Sequence, residues 1–295
     1  MIEEAGEFER LRPYLLRVAY SFLGSISDAE DVVQEAWLRL QRTADGEVRD
    51  LRAWLTTSVS RLAINSLTSA RSRRERYVGT WLPEPVVEAS ADHADPSDRV
   101  TLDESVSMAL LVVLESLTPA ERSAFLLHDV FGYSFAEVSE IVGRTPQAVR
   151  QLASRARRSV EAGRPRQPVS SAEQRRVVES FLRAAGEGDI AGLIALLDPN
   201  VCYRSDGGGR VTAARRILRG AAEVAQAVKA MAGHYAGTFE VELVKVNGTP
   251  GLLVNQSGEL SVIAFTIDSG RIQAIDVVRN PEKLRHLSPG RDEHP

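Results

Sequence analysis

A chain of 295 residues with 43% hydrophobic and 26% charged residues is long enough for two or three folded domains and is not disordered by default. The formal net charge of −4 argues against a uniformly basic nucleic-acid binder, and the single Cys202 excludes an internal disulfide and any cysteine-based zinc site. The histidines show no ligand spacing, no signal peptide opens the chain, and the longest apolar run (Met108–Leu114) is far too short to span a membrane; the expectation is a cytoplasmic protein without metal, cofactor or membrane contact.

Residues 8–77 read as helical. Ser27 with Glu30 suggests a capping box, and Asp28 and Asp31 complement the helix dipole in the first turn. In the helix that follows, Val33, Ala36, Trp37 and Leu40 form the core stripe, while Asp31, Gln34, Glu35 and Leu38 fall on another face. Residues 43–50 are polar and contain Gly46, a loop. A further helix begins near Leu51, buries Leu55, Val59 and Leu62, and ends in the basic run 71–76. Residues 49–77 carry seven Arg against Asp50 and Glu75, a local charge of +5. Trp54 reads as core packing ahead of base stacking.

Residues 78–105 form a linker, with Pro83, Pro85 and Pro96 among seven acids and one Arg, a local charge of −6. It is either a solvated tether or a segment that threads a channel built for nucleic acid; Trp81, flanked by Leu82 and Pro83, looks like an anchor into a pocket. Helices resume near 106 and run to 162. Within them, residues 134–158 read as two short helices around a tight turn. Phe135, Val138 and Ile141 form the apolar stripe of the first helix, and Gly143 ends it. Thr145 suits the N-cap of the second and Pro146 its first position. Val149, Leu152, Ala156 and Val160 make its buried face; Gln147, Arg150, Gln151, Ser154, Arg155 and Arg158 lie opposite. Such an arc can bond base edges and neutralise phosphates, as the recognition helix of a helix-turn-helix does. Residues 144–166, with seven Arg against Glu161, carry a local charge of +6.

After a second linker (163–171) the pattern changes. Two helices (about 172–187 and 189–197), a strand at 201–205 and a helix near 220–232 precede strands at 239–246, 251–256, 259–267 and 272–278. Asn247-Gly248, Ser257-Gly258 and Ser269-Gly270 between them are the residues that tight hairpins require. Residues 172–285 are thus an α+β domain with an antiparallel meander, and 286–295 a tail.

The block DAEDVVQEAWLRL (28–40) resembles the region of bacterial sigma factors that docks on the clamp of the RNA polymerase β′ subunit. Residues 52–77 resemble the helix that opens the −10 element, and 118–161 resemble the domain that reads −35. With only these two helical domains, the chain resembles an extracytoplasmic-function (ECF) sigma factor over residues 8–162. Three motifs, Trp81-Leu-Pro-Glu-Pro85, Asp206-Gly-Gly-Gly-Arg210 and Asn280-Pro-Glu-Lys-Leu284, are similar to those of an ECF group with a fused SnoaL-like domain.

The resemblance implies two all-α sigma domains (8–77 and 106–162, the second with the helix-turn-helix) followed by a SnoaL-like cone. It implies RNA polymerase core as partner, through the β′ clamp at Asp31, Gln34, Glu35 and Leu38 and through the β flap. It implies promoter DNA as the other partner. The melted −10 strand would be held by Arg61, Asn65, Arg71, Arg73 and Arg74, with a base captured by the loop 43–50. Many relatives have Asp where this chain has Asn65, which bears on the −10 preference. At the −35 duplex, Arg150, Gln151, Ser154 and Arg155 are the base-edge candidates and Arg144, Arg157 and Arg158 the phosphate contacts, with Thr145 and Gln147 beside them. Regulatory contacts would join Trp81, Leu82 and Pro83 to the cone through Asp206, Gly207, Gly208, Gly209, Arg210, Asn280, Pro281, Lys283 and Leu284.

The glycine triplet is not a phosphate loop, since no Gly-Lys-Ser/Thr follows it; read locally, it is a turn needing positive φ. The polar candidates for a cone cavity are Tyr203, His234, Tyr235, Asp268 and Asp276, without a catalytic spacing among them, so no enzyme activity is expected. A small regulatory ligand and a stand-alone regulator with a ligand-sensing C-terminal domain remain as alternatives.

Overall fold

The computed structural model describes residues 2–43, 48–75, 77–88, 106–163, 169–214, 216–234 and 239–287. They divide into two compact units, one holding residues 2–75 with 110–163, the other holding 77–88 with the chain from 169 onward.

In the first unit, α1 (Ile2–Leu23), α2 (Ile26–Leu40) and α3 (Leu51–Glu75) pack on one another around Leu15, Phe22, Val33, Leu55 and Val59. The cap of α2 is Ser25, not Ser27: its hydroxyl accepts the Asp28 N–H at 3.3 Å, and the helix starts at Ile26, earlier than the Ser27–Glu30 spacing suggests. Trp37 and Leu62 are half-buried rather than core, Trp37 lying 4.6 Å from the Phe8 ring.

The rest of this unit is α4 (Met108–Leu114), α5 (Pro119–Phe125) with a π-turn after it, α6 (Phe135–Val142) and α7 (Pro146–Gly163). Thr118 with Glu121 and Ser134 with Glu137 form capping boxes at the starts of α5 and α6. Gly143 closes α6 at φ 68°, and the Thr145 hydroxyl accepts the Ala148 N–H at 3.3 Å at the start of α7. On α7 the buried residues are Val149, Ala153, Ala156 and Val160; Leu152 sits at the margin, half-buried, because Ala153 occupies the centre of the stripe.

One buried charge joins these two helical groups. Arg122 is 3% exposed; its guanidinium donates to the Leu114 carbonyl (3.0 and 2.5 Å) and to the Phe22 carbonyl (2.8 Å), and pairs with Glu115 at 2.9 Å. Burial lowers its pKa and Glu115 opposes that shift. Around it, α3 packs on α5 and α6, and the Tyr14 ring meets Phe131 edge-on at 6.3 Å with Arg52 over its face at 4.6 Å. Burial pushes the nearby Tyr133 phenol up to about 12.

In the second unit, α8 (Ser171–Glu187), α9 (Ile190–Leu196) and α10 (Ala221–His234) pack on a curved sheet. The strands are β1 (Val87–Glu88), β2 (Leu197–Asp206), β3 (Leu218–Arg219), β4 (Phe239–Val246), β5 (Thr249–Gln256), β6 (Glu259–Asp268) and β7 (Arg271–Val278), in the order β1-β4-β5-β6-β7-β2-β3. β4 to β7 are an antiparallel meander, and β2 lies parallel to β7. All three hairpins turn at dipeptides with positive φ at both residues (Asn247-Gly248, Ser257-Gly258, Ser269-Gly270), the geometry whose twist matches the flanking strands.

The sequence leaves the linker either as a solvated tether or as a channel-threading segment, and its described part is buried from Leu82 to Val86 rather than solvated. Its first part belongs to this unit: Leu82 is 1% exposed, Pro83 and Pro85 are buried, and Val87 and Glu88 pair with Val246 and Lys245 as an edge strand. Edge positions suit a proline-rich segment, which cannot donate from every residue. The remainder of the acidic stretch, with Pro96, lies outside the described residues. Among the described residues, no helix is long and apolar enough to cross a membrane and no cluster of His, Cys, Asp and Glu could hold a metal.

Candidate functional site

Three surfaces carry the residues singled out by the sequence. The first is the outer face of α2. Asp31 and Gln34 are exposed, Leu38 is exposed despite its size, and Glu35 pairs with Arg39 one turn on at 2.8 Å. A groove between α2 and α3 runs beside them, lined by Asp28, Asp31, Glu35 and Arg39 on one side and Leu62, Asn65 and Ser66 on the other. The acidic face and the polar face of α3 are therefore neighbours. Arg61 lies on α3 as well, and its guanidinium donates to the Glu140 carbonyl of α6 at 3.0 Å. The side chains of Arg71, Arg73 and Arg74 and residues 44–47 of the base-capture loop lie outside the described residues.

The second surface is α7. Arg144, Thr145, Gln147, Arg150, Gln151, Ser154, Arg155 and Arg158 are all exposed, so the arc read from the 3.6-residue period is a surface of the folded unit. Arg150 also covers the Phe135 ring at 5.4 Å, and that ring stacks on His128 at 3.8 Å. Arg157 differs from its neighbours: its Nε donates to Asp129 at 2.5 Å, tying α7 to the π-turn.

The third is built around Asp206, at the end of β2. Asp206 is fully buried, and its carboxylate accepts four hydrogen bonds, from Tyr77 Oη (2.6 Å), Leu82 N (2.9 Å), Gly208 N (3.0 Å) and Lys283 Nζ (2.7 Å). A carboxylate offers about four lone-pair sites, so none is left over. Asn280 Nδ2 donates to the Tyr77 oxygen at 2.7 Å, and burial together with the Asp206 carboxylate holds that phenol well above its ordinary range. Lys283 Nζ also donates to the Leu82 carbonyl and lies 4.1 Å from the Trp81 ring centre. The three motifs thus converge on one charged residue.

The remaining motif residues shape this clamp. Asn280 caps the turn Pro281–Lys283 by accepting the Glu282 N–H at 3.0 Å, Leu284 is buried beneath it, and Arg210 pairs with Glu282. The glycine triplet is a turn in which Gly208 and Gly209 have φ of 63° and 70°. A Cβ on Gly208 would stand 2.5 Å from the Asn280 side chain, and one on Gly209 would stand 3.0 Å from Val78. Positive φ and close approach together require glycine there.

The clamp has members that the sequence did not single out. Tyr77 reads as the end of a helix, yet its hydroxyl is central here. Asn247 reads as half of a hairpin; its side chain accepts the Val86 N–H at 3.1 Å while its own N–H donates to the Val86 carbonyl at 2.8 Å. His286 lies 3.7 Å from Glu84, and burial lowers its pKa. Among the cone candidates, Asp276 is buried against Arg204 (2.5 and 3.1 Å), with burial pushing its carboxyl up and Arg204 opposing that shift; Tyr203 lines a cavity; Asp268 meets the Ser269 hydroxyl. The His234 side chain and Tyr235 lie outside the described residues.

Comparison with known proteins places this geometry. Residues 8–73 match the Sigma-70 region 2 family and residues 107–160 match Sigma-70, region 4. The chain is 41% identical to the ECF RNA polymerase sigma factor SigJ of Mycobacterium tuberculosis, over 95% of this chain and 93% of that protein. It is 37% identical to the probable ECF RNA polymerase sigma factor SigI of the same organism, over 94% and 93%. The crystal structure of M. tuberculosis SigJ superposes with a TM-score of 0.79, at 38% identity, over 95% of this chain and 98% of that one. With regions 2 and 4 in its helical unit and a SnoaL-like cone behind them, the chain belongs to the ECF family of RNA polymerase sigma factors.

Proposed function

We propose that the chain, whose family binds RNA polymerase and promoter DNA, docks on the β′ clamp through Asp31, Gln34, Glu35 and Leu38 and on the β flap through region 4. In this reading α7 enters the major groove at −35, where Arg150, Gln151, Ser154 and Arg155 read base edges and Arg144 and Arg158 hold phosphates. Arg157 keeps an intramolecular partner and serves DNA binding indirectly. Arg61, Asn65 and the basic end of α3 hold the opened −10 strand by charge, as a groove does for single-stranded DNA.

Control by the chain's own cone is the second part of the proposal, and the clamp at Asp206 carries it. A linker that joins two DNA-reading modules is held by a buried carboxylate with every acceptor site filled. The contacts from Arg61 and Arg122 between the two helical groups bear on the same point. Elements centred near −35 and −10 are about 25 base pairs apart, on the order of 85 Å at 3.4 Å per pair. Modules touching through α3 and α6 cannot reach both, so initiation requires that packing to open while the clamp sets how much linker is free.

Run-off transcription with bacterial core polymerase tests both parts. The comparison is the full chain against a truncation after 168 and against Asp206→Ala, on a promoter selected from a random library. Initiation that depends on the chain, with output altered by both changes, is expected. Unaltered output from both would remove the cone from the control of initiation.

A further inference from the structure

Region 4 leaves α5 through a π-helical turn, Leu126–Val130. The Phe131 N–H donates to the Leu126 carbonyl, five residues back, at 2.9 Å, so the turn is one residue wider than that of an α-helix. Two neighbouring side chains leave it for different helices. Asp129 pairs with Arg157 of α7, and His128 stacks on Phe135 of α6 at 3.8 Å, with 26° between the rings. Wide turns of this kind are frequent at functional sites.

The stack has a fixed base. His128 Nδ1 lies 2.7 Å from the Tyr133 carbonyl; a carbonyl oxygen only accepts, so Nδ1 donates and the imidazole is held in one orientation. Phe135 is the first residue of α6, directly after the N-cap Ser134, and it is half-buried rather than enclosed in the core. The imidazole therefore does much to place its ring. Over that ring lies the Arg150 guanidinium of α7, at 5.4 Å. Arg150 is exposed, and a cation resting on a ring face keeps the N–H donors along its edge for other partners. Among the described residues, no ion pair or ring contact supports the Arg155 guanidinium in this way.

We infer that Phe135, held by His128, is a positioning residue for Arg150. Its ring keeps the guanidinium oriented for one base edge at −35, so discrimination at that base pair depends on an aromatic side chain that itself touches no DNA. The inference rests on the reading of Arg150 as a base-edge residue. An arginine free in solvent gives up the freedom of a long side chain when it binds, and one already resting on a ring gives up less. Base readout gains most from this. Phosphate contacts tolerate many side-chain positions, whereas paired hydrogen bonds to one base edge tolerate few.

The experiment uses the full chain in complex with bacterial core polymerase and measures affinity for a library-selected promoter and for its single-base-pair variants across −35. Arg150→Ala locates the base pair that Arg150 reads, and Arg155→Ala the one that Arg155 reads. Phe135→Leu keeps the apolar bulk and removes the ring. It is expected to lower discrimination at the Arg150 base pair about two- to fivefold, the fold-change that an exposed cation–π contact corresponds to, and to leave the Arg155 base pair unchanged. Phe135→Tyr, which keeps the ring face, should retain discrimination at both. Equal loss at both base pairs in the Leu variant means that Phe135 only supports the fold of region 4 and overturns the inference, as does unchanged discrimination at the Arg150 base pair. Should the Leu variant not fold, the wild-type chain decides: upfield ring-current shifts of the Arg150 δ protons are expected, and their absence overturns the inference. If Arg150→Ala alters discrimination at no base pair, the reading of Arg150 fails and takes the inference with it, a result distinct from the others.

Discussion

Arg122 in the helical unit and Asp206 in the cone are both buried charges that hold together segments far apart in the chain, and they do so in opposite ways. Arg122 donates to main-chain carbonyls at the ends of helices, acceptors that stay put whatever the side chains around them do. Asp206 accepts from a tyrosine, a lysine and two loop amides, and two of those four donors, Tyr77 and Leu82, lie in the segment being held. A bond to helix-end backbone gives way only when whole helices part from one another. A bond to side chains and to an irregular segment fixes a position that can be given up one donor at a time.

Substitutions can break or sharpen that contrast. The largest effect is expected from Asp206→Ala, which takes the carboxylate partner from the Lys283 ammonium and the acceptor from the Leu82 amide; removing one partner of a buried pair costs about 3–5 kcal/mol. Loss of stability in urea unfolding should be accompanied by fast exchange at residues 77–88, while the helical unit keeps its protection. Arg122→Met comes next, at roughly 2–4 kcal/mol, because the carbonyls of Phe22 and Leu114 lose a charged donor. Its unfolding should show in α1 and α5 together, and unchanged exchange in the linker is what separates the two sites.

Asn247→Gly keeps a residue that tolerates the φ of 49° and removes the side-chain acceptor for Val86. The expected cost is about 1–3 kcal/mol, for one buried amide left without its partner. Faster exchange at Val86 with an unchanged β4–β5 hairpin would be the signature. The smallest change in stability, within about 0.5 kcal/mol, is expected for Arg158→Ala on the exposed arc of α7. Promoter binding by the polymerase complex should nevertheless weaken alike on all sequences, with the salt slope reduced by roughly one. Arg155→Ala should instead cost about 1–3 kcal/mol at one base pair, and equal losses on cognate and scrambled promoters would falsify that assignment.

What could be read in the sequence follows the range of the interactions. The turn between α6 and α7, with Gly143, Thr145 and Pro146, and the three hairpin dipeptides are local, and each residue type is required by a φ or a cap within a few positions. The exposed polar arc of α7 was legible because a helix repeats every 3.6 residues. The choice of Ser25 over Ser27 was not, since both stand near the start of the helix and only the backbone decides which hydroxyl meets an unpaired N–H. Nor was the docked linker. Its acids and prolines have the composition of a solvated tether, and what holds Leu82 and Val86 are side chains 124 and 161 residues away. The parallel pairing of β2 with β7 was hidden for the same reason, while the motifs that resemble a known group located most of the clamp without telling how its members touch.

The strand β1 has a consequence beyond holding the linker. It covers the end of β4, where Val246 and Lys245 would otherwise offer unpaired amides and carbonyls at the rim of the sheet. An open rim of this kind is a template on which another polypeptide can add a strand. Val87 and Glu88 therefore cover a rim open to strand addition, and a cone that gives up its linker uncovers it.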